Sequence, residues 1–132
     1  MLMFTLIAAA ALVAGSWINV PGGTWNPNAE TVAEAQAKLK SYVVAQAASN
    51  ELTLRPWATY TFQYQGQEKA FKLRTRVLSK RRVIFINAFC SAVPSYAHTE
   101  FVSISDGGTC YFRAYYDTVQ HKFIYVLFNG VA

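Results

Sequence analysis

The sequence predicts an α+β domain: one N-terminal helix packed on a curved antiparallel β-sheet, fastened by one disulfide. Three observations lead there. A stretch running to about residue 48 places Val32, Ala35, Leu39, Tyr42, Val43 and Gln46 along one side at helical spacing, with Glu30, Glu34, Lys38 and Ser41 largely elsewhere. From Leu52 onward, apolar and polar residues alternate with the period of half-buried strands, broken by turn residues. The two cysteines, Cys90 and Cys110, sit where two of these strands would end and begin.

At 132 residues, 53% apolar and 15% aromatic, the chain suits one domain with one packed core, which excludes global disorder. Twelve Lys and Arg against seven Asp and Glu give a net charge of +5. Such a balance favours anionic partners, whether phospholipid headgroups, nucleic acid, or acidic polysaccharide or protein, without choosing among them.

Residues 1–16, MLMFTLIAAAALVAGS, carry no charged side chain, and their apolar run over 2–13 is shorter than the roughly 20 residues a membrane-spanning helix needs. The run has the length of an export signal's apolar segment, and Ala14-Gly15-Ser16 offers a small-residue cleavage site. The expectation is a cleaved signal over 1–16 and an exported, periplasmic or secreted domain over 17–132 with no transmembrane segment. An uncleaved anchor or a buried N-terminal helix are the alternatives. In an oxidising compartment Cys90 and Cys110 are expected to pair, against the alternative of two buried thiols.

Along the mature chain, residues 17–27 read as an extended lead-in because Pro21-Gly22-Gly23 interrupts regular structure. Asn26 or Asn28 suits the helix cap and Pro27 the first helical position. After Ser49-Asn50, the alternating Tyr60, Phe62 and Tyr64 predict a strand, and Gln65-Gly66-Gln67 a turn. The next strand turns Phe71, Leu73, Thr75 and Val77 one way and Lys72, Arg74 and Arg76 the other. A second turn over 79–82 carries Lys80, Arg81 and Arg82 at its tip. Residues 83–90, apolar at both parities, predict a central strand. An irregular excursion around Pro94 follows, with Phe101, Val102 and Ile104 as a short strand or extended arm. Beyond the turn at Asp106-Gly107-Gly108, two more strands over 111–116 and 123–128 close the sheet. A bridge between neighbouring strands would put both cysteines on one face, with Ile84, Ile86, Ala88, Phe112, Ala114 and Tyr116 as core under the helix. The opposite face would hold Phe85, Asn87 and Phe89 with Tyr111, Arg113 and Tyr115.

A long helix followed by a curling antiparallel meander resembles the cystatin-like architecture and the related nuclear-transport-factor-like cone. Tyr64-Gln65-Gly66, Ile86-Asn87-Ala88-Phe89-Cys90, Asp106-Gly107-Gly108-Thr109-Cys110-Tyr111-Phe112 and the final Asn129-Gly130-Val131-Ala132 look like a group of uncharacterised small exported bacterial proteins. That resemblance implies fold and export, and no activity. Cystatin-type inhibition uses a glycine-bearing trunk, a Gln-x-Val-x-Gly hairpin and a late Pro-Trp hairpin. Gly22 or Gly23 suits the trunk, but there is no Gln-x-Val-x-Gly, and Pro56-Trp57 precedes the strands.

No residues assemble a nucleophile, base and orienting group. His98 and His121 read as surface histidines, and Asp106-Gly107-Gly108 as hairpin chemistry. Two separated histidines and two separated cysteines match no zinc spacing, so no catalytic residue, metal or cofactor is assigned. The best functional candidate is the basic stripe of Lys72, Arg74 and Arg76 with Lys80, Arg81 and Arg82, six charges expected on one side of the sheet. Its bland alternative is a solvated face that discourages strand pairing. The leading expectation is a non-enzymatic exported binding or inhibitor module meeting an anionic envelope component or an acidic protein, with no specific nucleic acid. A second is a small-molecule or catalytic pocket between helix and sheet, lined by Tyr42, Phe62, Tyr64 and Tyr116. A third is a structural accessory role in the envelope.

Overall fold

In the computed structural model, which describes residues 16–73, 76–77 and 79–130, the α-helix α1 spans Ala29–Ser49. Asn28 stays extended, and its side-chain oxygen accepts the Thr31 backbone N–H at 2.8 Å. That bond satisfies one of the donors left without a partner in the first turn. Pro27 therefore precedes the cap instead of opening the helix. Ala35, Leu39, Val43 and Ala47, each four residues on from the last, form the buried side of α1.

The main sheet has the order β1-β2-β5-β6-β7, built from Ser16–Asn19, Thr61–Lys69, Arg81–Phe89, Tyr111–Asp117 and Lys122–Phe128. All its pairings are antiparallel except that of β1 with β2. Two short strands, β3 (Lys72–Leu73) and β4 (Arg76–Val77), pair with each other apart from it. Of the expected signal, residues 1–15 lie outside the described residues, and Ser16 opens β1.

Three expectations about this half of the chain are corrected. The lead-in is partly a strand, and beyond it Val20 and Thr24 go on donating to the β2 carbonyls of Tyr64 and Gly66 at 2.9 and 3.0 Å. Gln65-Gly66-Gln67 is not a turn, since β2 runs straight through it. Glycine is needed there for closeness: a Cβ on Gly66 would stand 2.2 Å from the Trp25 carbonyl oxygen. Lastly, Lys72–Leu73 and Arg76–Val77 do not join the sheet but pair with each other apart from it, and β5 already begins at Arg81. The arm around Phe101, Val102 and Ile104 is extended without strand pairing.

Over its central rows the helix-facing side of the sheet is apolar. Phe62, Ile84, Ile86, Ala88, Phe112, Ala114 and Tyr116 pack with Leu39 and Val43 in one buried cluster. Trp17 stacks on Phe62 with ring centroids 4.5 Å apart, and Trp57 closes the cluster from outside. Cys90 and Cys110 are bridged, as the face assignment requires. In the chain-entropy model, closing a loop of this size stabilises the fold by about 3 kcal/mol.

The opposite side is covered in pieces. Gln63 and Asn87, direct partners across β2 and β5, are both buried there. Asn87 Nδ2 donates to Gln63 Oε1 at 2.9 Å, and the same oxygen accepts the Val102 N–H at 2.9 Å. Gln63 Nε2 donates to the Ala97 and Glu100 carbonyls at 2.8 and 2.7 Å, and Asn87 Nδ2 also reaches the Val102 carbonyl. Two side-chain amides thus replace the backbone partners that the irregular segment over 91–106 lacks, and pin it across the sheet. At the other end of this face, Phe71 packs edge-on against Tyr115 and Tyr125.

Candidate functional site

Strand register brings charge together at that second end. Lys69, the last residue of β2, faces Arg81, the first of β5. Asp117, the last of β6, faces both Val83 of β5 and Lys122, the first of β7. Side-chain direction alternates along each strand, so Lys69, Arg81, Asp117 and Lys122 all project from the side away from α1. The chain leaving β2 then lays Phe71 and Lys72 over them. The result is a cavity of about 630 Å³ lined by Lys69, Phe71, Lys72, Arg81, Asp117, Gln120, Lys122, Phe123, Ile124 and Tyr125, with Ala70. Four basic side chains meet one carboxylate, leaving three positive charges in excess.

The five charges have different duties. Asp117 is 1% exposed. Its Oδ1 accepts the Val119 and Gln120 N–H groups at 2.9 and 3.3 Å, and its Oδ2 is held by the Arg81 guanidinium. This pair forms the β6–β7 turn and fastens it to β5. A buried carboxylate is stable only with such partners. Lys69 lies 4.5 Å above the Tyr115 ring. Burial works against its ammonium, but the Tyr115 and Tyr125 phenols outweigh it and leave its pKa raised. Burial, joined by Tyr115, pushes the Tyr125 hydroxyl up, so it stays protonated near neutrality. Lys72 and Lys122 are exposed, and neither has an ion pair among the described residues.

The predicted six-charge stripe is therefore corrected. Arg81 and Arg82 are consecutive strand residues, not a turn tip, and point to opposite faces. Arg82 lies over the Trp25 ring, 5.4 Å from its centroid, on the helix side. Lys80 is exposed just before β5. Arg74 lies outside the described residues, and Arg76 is in β4, where only the backbone is described. Among those whose side chains are described, Lys72 and Arg81 reach the cavity. Sequence reasoning missed Lys69, Lys122 and Asp117. The available signal was positional: in an antiparallel meander the end of one strand and the start of the next lie at the same edge.

The expected pocket between helix and sheet is also corrected. Phe62 and Tyr116 are fully buried members of the core. Tyr42 stacks on Phe123 with centroids 5.3 Å apart, and Tyr64 sits 6.1 Å from Trp17. Among the described residues these rings pack on one another and on the core.

His121 is exposed, as expected, but it does have a partner. Its Nδ1 stands 2.7 Å from Glu34 Oε1 on α1, while Lys38 Nζ donates to the His121 carbonyl at 2.7 Å. Tyr116 donates its hydroxyl to the same Glu34 oxygen. The Tyr116 hydrogen bond, then His121, hold the Glu34 carboxyl below its ordinary pKa, and burial with Glu34 pushes the Tyr116 phenol up. This cluster ties α1 to the β6–β7 turn, the same turn that Asp117 shapes from the other side. Among the described residues, no group of three or more His, Cys, Asp or Glu side chains is placed to hold a metal ion.

No family model, curated protein or solved structure matches this chain.

Proposed function

We propose that the protein is an exported, non-enzymatic binding module that takes an anionic group into the basic cleft at the end of its sheet. One observation carries this reading: side chains from the ends of four strands and from the hairpin segment converge on one cavity with three unbalanced positive charges. Arg81 and Asp117 neutralise each other and give the cleft a fixed floor. Lys69, Lys72 and Lys122 are left to attract a partner, and their pull falls with ionic strength because the cleft is open to solvent. Export is supported by the Cys90–Cys110 bridge, since small disulfide-closed domains belong mainly to oxidising compartments. No helix among the described residues is long and apolar enough to cross a membrane.

The test is charge reversal. A Lys72→Glu, Lys122→Glu variant should lose retention on an immobilised polyanion such as heparin, and the parent protein should elute earlier as salt rises. Equal retention of parent and variant would defeat the proposal.

A further inference from the structure

We infer that the group taken by this cleft is a phosphate ester carried on a carbon skeleton, and not the carboxylate of an acidic protein. The inference rests on the basic-cleft reading above and adds the chemistry of the ligand. An arginine fork grips carboxylates and phosphates alike through paired hydrogen bonds, whereas lysine serves as a point-charge binder typical of phosphate sites. The cleft's arginine, Arg81, already holds a carboxylate, the buried Asp117. The cations that remain, Lys69, Lys72 and Lys122, are compact point charges with rotatable donors. Converging from three elements, they suit an oxyanion that presents oxygens in several directions. Size gives the second argument. A space of about 630 Å³ lies in the range of sites for organic ligands, about 300–1,000 Å³, and inorganic phosphate would leave much of it empty. Phe71, Phe123 and Ile124 add apolar surface that can cover carbon, while Gln120 and the Tyr125 hydroxyl can donate to ligand oxygens.

Both a soluble sugar phosphate and the headgroup of an anionic phospholipid present this chemistry. The experiment compares the oxidised protein with its Lys72→Gln, Lys122→Gln variant. Both positions are exposed, and an unchanged melting temperature checks the variant's fold. The probes are glucose 6-phosphate, glucuronate, inorganic phosphate, heparin, and phosphatidylcholine vesicles with and without phosphatidylglycerol. Glucose 6-phosphate should bind, with the variant weaker by about tenfold or more. Glucuronate, a similar ring carrying a carboxylate, and inorganic phosphate should each bind about tenfold more weakly than glucose 6-phosphate. Lysine-dependent binding to phosphatidylglycerol vesicles alone would also support the inference and name a lipid as the source. Glucuronate binding as tightly as glucose 6-phosphate would overturn it, as would lysine-dependent binding of heparin with neither phosphate ester bound. In both cases the basic cleft would stand. If no probe distinguished the parent from the variant, inference and cleft would fall together.

Discussion

The two faces of the sheet solve the problem of burial in different ways. Under α1 the cover is one continuous element with small residues, Ala35 and Ala47, beside Leu39 and Val43, and the sheet answers with rings and branched chains. No buried side-chain polar atom there or elsewhere among the described residues lacks a partner. The far face has two unrelated covers. The arm over 91–106 is fixed by the amides of Gln63 and Asn87, and the hairpin segment leans on Tyr115 and Tyr125 through Phe71. Where the second cover meets the sheet's end, the space is lined with charge. A continuous cover yields stability, whereas a cover made in pieces leaves a seam in which a ligand can be held.

The largest expected effect lies under the helix. Phe62→Ala should cost about 3–5 kcal/mol in denaturant unfolding, because the surrounding rings are held by the whole sheet and cannot collapse into the gap. A loss below about 1 kcal/mol would mean this face is not the stability core. Next is the far face. Gln63→Ala removes the acceptor of the Val102 and Asn87 N–H groups, and should cost about 1–3 kcal/mol. It should also raise hydrogen exchange at the Val102 amide while the β5 amides stay protected. Uniform loss of protection would show that the arm and the core are one cooperative unit.

The smallest effect should come from Glu34. Its carboxyl pKa is held below the ordinary 4.5, first by the Tyr116 hydrogen bond and then by His121, so these contacts to the carboxylate add stability that is complete above that value. That stability is lost as pH falls through the lowered folded value. Glu34→Gln should therefore flatten the acid side of the stability profile and leave the β5 amides protected at neutral pH. An unchanged acid limb would remove Glu34 as the link between α1 and the β6–β7 turn.

Much of the helix face was legible from local pattern alone. The buried Ala35, Leu39 and Val43 of α1 and the shared face of Cys90 and Cys110 follow from periods of 3.6 and 2 within a few residues, whereas the cap stood open between Asn26 and Asn28. The far face was harder to read because it depends on partners distant in sequence. Gln63 and Asn87 look like ordinary strand polar residues until register sets them opposite each other under a third segment. Gly66 carries the signature of a turn, yet its lack of a side chain is used for the approach of Trp25. A dense cluster of charge at 80–82 drew attention to a surface, but one residue of register separates Arg81, inside the cleft, from Arg82, on the other side of the sheet. Lys69 opens the basic stretch but falls outside its period-two stripe, and Lys122 is a single charge 53 positions further on, so only register brings the two together.

Amide chemical-shift mapping of the oxidised protein during titration with heparin tests the central claim most directly. The account predicts that the shifts concentrate at Lys69, Lys72, Arg81, Gln120, Lys122 and Ile124, diminish with added salt, and leave α1 and Arg82 unmoved. Shifts gathered instead around Lys40, Arg55 or Arg82, with the cleft silent, would contradict it.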